Sequence, residues 1–139
     1  MSFRFERISE QDFLRYRLGE IDQRFSMASS RRWAIDHDHH AYLRYMYYDQ
    51  EQPSRKTFCF YWQQQPYLVQ LESHGQSLAN QQWCTKWRLL SSKKFNNDGP
   101  DYLIEPSADL LHALKAALSA YRDGSLNPGY SSHVAEFDF

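Results

Sequence analysis

From Thr57 to Gln63 the chain alternates: Phe58, Phe60 and Trp62 fall on one side, and Thr57, Cys59, Tyr61 and Gln63 on the other. A period of two predicts a strand. The same period sets Leu43, Tyr45 and Tyr47 against Tyr42, Arg44, Met46 and Tyr48, and Tyr67, Val69 and Leu71 against Leu68, Gln70 and Glu72. Trp83, Thr85, Trp87 and Leu89 alternate with Cys84, Lys86, Arg88 and Leu90. Between these runs, the Pro53-bearing stretch 49–55, Gln64-Gln65-Pro66 and Asn96-Asn97-Asp98-Gly99-Pro100 carry turn residues. The polar stretch Ser73 to Gln82, with Gly75 and Asn80, is expected to be a loop.

At the two ends the period lengthens. Leu14, Leu18, Ile21 and Phe25 repeat at helical spacing after Ser9, which with Asp12 forms a loose capping box. Leu110, Leu111, Leu114, Ala117, Leu118 and Tyr121 form a second stripe, with Pro106 suited to the first helical position and Asp123-Gly124 to its end. Tyr102-Leu103-Ile104 is a short strand or a lead-in to that helix, and the tail 126–139 alternates weakly at Val134, Phe137 and Phe139, as a loose tail or an edge strand would. The order helix, strands, helix predicts an α+β class: an antiparallel meander of about five strands, with an N-terminal helix and a C-terminal helix over about 106–122 packed on one face.

A chain of 139 residues without repeats or linkers fits one domain, 1–139. With 42% hydrophobic and 24% charged residues its composition is globular. Sixteen basic and 17 acidic residues leave a net charge of −1, unlike a generic nucleic-acid binder. Trp83, Lys86, Trp87 and Arg88 mix rings and cations as single-strand binders do, but strand alternation alone sends the tryptophans inward and the cations to water. There is no apolar run of membrane-spanning length, and charges begin at the fourth residue, so the expectation is a cytoplasmic protein with neither nucleic acid nor membrane as partner. Cys59 and Cys84 fall in strands with one strand between them, a meander separation of roughly 9–10 Å. A disulfide needs Cα atoms within about 7 Å, so two buried thiols are expected.

Ionisable groups crowd together only at Asp36-His37-Asp38-His39-His40. Placed on a strand, His37 and His39 would share one face and Asp36, Asp38 and His40 the other. Two histidines on one face can supply two zinc ligands, with His74 or His133 as a third. A metal-dependent or small-molecule enzyme built on this cluster is therefore one alternative reading. No His-Glu-x-x-His, Cys-x-x-Cys, nucleophile elbow or glycine-rich phosphate loop accompanies it, and no cofactor is implied.

The aromatic content offers a different surface. Aromatics make up 17% of the chain, with 10 Tyr, 9 Phe and 4 Trp, and several strands carry large groups on both sides. A sheet covered by helices on one face would present a tyrosine-rich second face, as partner interfaces do. The preferred reading is a non-enzymatic domain that binds another protein. Asp36, His37, Asp38, His39 and His40 would supply charge complementarity, and Tyr45 and Tyr47 contact area. In size and composition, though in no motif, the chain looks like many bacterial inhibitors and toxin-neutralising immunity proteins. A homodimer or a homo-oligomeric structural protein is the remaining alternative.

Overall fold

The computed structural model describes residues 2–8, 33–46, 55–95, 100–121 and 132–139. In chain order they form β1 (Glu6–Ile8), β2 (Trp33–Asp36), β3 (Ala41–Met46), β4 (Arg55–Trp62), β5 (Gln65–Leu78), β6 (Gln82–Lys94), β7 (Tyr102–Leu103), α1 (Ala108–Ala120) and β8 (Ser132–Phe137). The eight strands make one sheet, in the order β1 to β7, with β8 also paired to β6. β5 takes one whole side of β6, so β7 and β8 share the other: β7 runs antiparallel to Lys93–Lys94 and β8 parallel to Gln82–Trp87. The sheet therefore exceeds the five-strand meander that alternation predicts, and its last strand breaks the antiparallel pattern. The helix expected over residues 9–25, the residues around Asp123-Gly124 and Tyr47 all lie outside the described residues.

The largest departure from the sequence pattern is at Ser73–Gln82. Instead of a loop, Ser73–Leu78 extends β5 against Gln82–Trp87, and only Ala79, Asn80 and Gln81 turn, the last two with φ of 62° and 58°. Ser, Gln and His have weak strand propensity, but tertiary pairing overrides it. The Trp83 ring lies across Gly75, where an added Cβ would come within 2.2 Å of a ring carbon. A glycine beneath an aromatic ring on the neighbouring strand is a pairing device and not a loop signal. The β4–β5 turn falls at Gln63-Gln64, both with positive φ, the two-residue geometry whose twist matches antiparallel strands. Pro66 consequently sits inside β5, opposite Tyr61, and not in the turn.

α1 begins later than 106 and stops before 122. Ser107 is its N-cap: the hydroxyl accepts the Leu110 N–H at 3.1 Å, and Asp109 lies in the first turn. Pro106 precedes the cap. Leu110, Ala113, Leu114, Ala117 and Leu118 face the sheet and pack with Ala34, Leu43, Phe58, Phe60, Val69, Leu71 and Trp87. Leu111 is only half-buried and lies on the outer face. Phe58 meets Trp87 and Tyr121 edge-on, with centroids 5.8 Å and 5.1 Å away. Each such fully buried side chain contributes roughly 1.5–3 kcal/mol, so this layer carries the main stabilisation.

The second face of the sheet is buried as well around its centre. Tyr42 stacks on Tyr61 at 5.0 Å and is 1% exposed; Ile35 and Cys59 share that face and are buried. The exposed tyrosine-rich face predicted from alternation is therefore not found at Tyr42. Tyr45 is described only through its backbone, paired with Phe58. Cys59 and Cys84 are both buried thiols, as their strand positions predict.

Candidate functional site

Asp36 ends β2, and Ala41 opposite it begins β3, so residues 37–40 form a tight turn in place of the strand on which two histidines would align. The turn closes on the Asp36 carboxylate. One oxygen accepts the His39 N–H at 3.1 Å; the other accepts from His39 Nδ1 at 2.9 Å and from the Arg4 N–H at 2.7 Å. A short acceptor side chain satisfying an amide three residues on is the chemistry of a helix N-cap, used here to hold a hairpin. His40 completes the turn with φ of 49°, a left-handed conformation that histidine tolerates better than most residues. Asp36 itself is 1% exposed.

Burial alone would raise the Asp36 pKa. The Arg4 N–H, the His39 side chain and N–H, and the His39 charge together outweigh it and hold the carboxyl below 3.8. The side chains of the turn do not converge. His37 reaches outward to Glu6 at 3.2 Å, with both partners substantially exposed, while Asp38 and His40 are exposed. His74 pairs with Glu72 at 3.0 Å and His133 with Thr85 at 2.8 Å, on strands remote from the turn. Among the described residues no three His, Cys, Asp or Glu side chains come together as a ligand set. The Arg4 contact joins residues 32 positions apart and leaves no local signal in the sequence.

Nucleophilic chemistry has no better footing at the cysteines. Burial and then the neighbouring Glu136 carboxylate push the Cys84 thiol up, with Lys86 opposing. A buried thiol with a raised pKa is a poor nucleophile. On the helix-facing side of the sheet Ser73 Oγ, Trp87 Nε1 and Ser92 Oγ are buried without a hydrogen-bond partner among the described residues, and Ser73 and Trp87 face each other across β5 and β6. On the outer face of α1 a groove of about 520 Å³ is lined by Ala108, Leu111, His112, Lys115, Ala116 and Ser119.

The surface feature that the sequence pattern passed over is β7. Leu103 is 70% exposed and Tyr102 50%, the most open of the large apolar side chains among the described residues. They pair with Lys93 and Lys94, so each lies beside a lysine at the edge of the sheet. Between Pro100-Asp101 and Glu105 the chain has only three apolar residues, too few for a buried strand; Ile104 packs against the core while Tyr102 and Leu103 stay outside. No described helix is long and apolar enough to cross a membrane. No family model, curated protein or solved structure matches the chain.

Proposed function

We propose that this chain is a non-enzymatic, cytoplasmic domain that binds another protein, in the manner of small inhibitors and toxin-neutralising proteins, and that its contact surface is the β6–β7 edge. The observation that carries this reading is the exposure of Leu103 and Tyr102 side by side on an edge strand. Sheet edges present backbone groups to which a partner strand can add, and natural proteins usually protect them with charge. Here Lys93 and Lys94 stand one strand in, while the edge itself carries apolar area. The Asp36–His40 turn is a weaker candidate, because its buried carboxylate already accepts three hydrogen bonds within the fold.

Site-specific photo-crosslinking in the source cells tests this. A photoreactive side chain at Leu103 should yield a discrete adduct with one partner, and the same group at Asp38 none. Adducts at 38 alone would move the surface to the turn. Absence of adducts at 38, 102 and 103 would contradict protein binding through either surface, and an adduct with a second copy of the chain would favour the homo-oligomer. The unpartnered Ser73, Trp87 and Ser92 atoms support a second reading, binding of a small polar molecule between sheet and helix. Native mass spectrometry of protein purified from the source would then show a stoichiometric mass increment.

A further inference from the structure

We propose that residues 2–8 form an acid-released strap, held to the body of the protein through the Asp36 carboxylate and covering one end of the layer between sheet and helix. Glu6–Ile8 pairs with Trp33–Ile35, and ahead of it the Arg4 N–H is tied to Asp36. The same carboxylate closes the 37–40 turn through the His39 backbone and ring, so one group pins both segments. The strap also carries the apolar cover of that end: Phe3 lies between His39 and His112 of α1, with centroids 4.8 Å and 5.6 Å away, and Phe5 packs on Phe60 at 6.1 Å. Loss of the Asp36 contacts would loosen the strap and the turn as one unit and uncover Phe60.

The other titratable and charged groups around this junction belong to the strap, the turn and α1. In the strap these are Glu6 and, as a fixed charge, Arg4; in α1 it is His112, which touches Phe3 by its ring. In the turn, His37 bonds Glu6 at an exposed site, where ion pairs contribute little. Asp38 and His40 are exposed. His39 donates to Asp36 twice, from Nδ1 and from its backbone N–H. Protonating Asp36 removes an acceptor site and the charge that strengthens all three bonds.

Amide hydrogen exchange followed residue by residue by NMR, corrected for intrinsic rates, tests the strap. As pH falls from about 6 to about 3, through the range where carboxylates titrate, the Arg4 and His39 amides should lose protection together. Between the ordinary carboxylate range and the depressed Asp36 value each pH unit should cost up to roughly tenfold, levelling off below it, while Phe58 and Val69 stay protected. In Asp36→Asn both amides should be open at neutral pH, and in Glu6→Gln the wild-type profile should persist. Loss of Arg4 and His39 protection only together with Phe58 and Val69 would overturn the proposal. So would a profile displaced by Glu6→Gln. Because the wild-type pH series stands alone, the test survives if Asp36→Asn fails to fold.

Discussion

The turn at residues 37–40 and the edge at Tyr102–Leu103 have opposite appearances in sequence and in space. With Asp36 ahead of it, the turn makes five ionisable residues in succession and suggests chemistry, yet the Asp36 carboxylate is buried and accepts three hydrogen bonds from within the chain. The edge is an apolar dipeptide that suggests core, yet both side chains face solvent. Charge density is a poor guide to function where the charge closes a turn, because a buried acceptor is stable only when the fold satisfies it. Exposed apolar area is more informative, because folding gains nothing from leaving it outside.

The comparison breaks most visibly at Asp36. Asp36→Ala leaves the Arg4 and His39 donors without their acceptor, and chemical denaturation at neutral pH should show a loss of roughly 2–5 kcal/mol. Acid should reproduce part of that loss in the unaltered protein. The Asp36 pKa is depressed in the folded state, so its contribution is fully present above the ordinary carboxylate range and disappears as pH falls through the depressed value. Denaturation midpoints measured from neutral pH downward should fall over that interval, and the Asp36→Asn midpoints should fall less.

The β5–β6 extension belongs with the turn, being polar in sequence and structural in space. Gly75→Ala forces a methyl group into the Trp83 ring and should lower stability by about 1–3 kcal/mol in the same assay. Glu6→Gln or His37→Gln, at an exposed pair, should change it by no more than about 1 kcal/mol.

Strands β3, β4 and the first half of β5, together with the stripe of α1, were legible because their apolar periodicity is the direct imprint of a one-sided core. The second half of β5 was not, because its pairing rests on Trp83 covering Gly75, a contact between strands with no counterpart in local composition. The parallel placement of β8 likewise rests on pairing with Gln82–Trp87, far away in sequence. At the candidate site, composition marked the Asp/His cluster but assumed a strand, and only the pairing of Asp36 with Ala41 makes it a turn. Arg4, the partner that fixes its role, is 32 residues away.

Urea unfolding of Asp36→Asn and Leu103→Asp beside the unaltered protein at neutral pH separates a structural turn from a surface edge. Asp36→Asn should show a clearly lower midpoint, and Leu103→Asp a stability within about 0.5 kcal/mol of the original, as for a surface position. An unchanged midpoint for Asp36→Asn, or a Leu103→Asp protein that unfolds as readily as a core variant, would contradict that division.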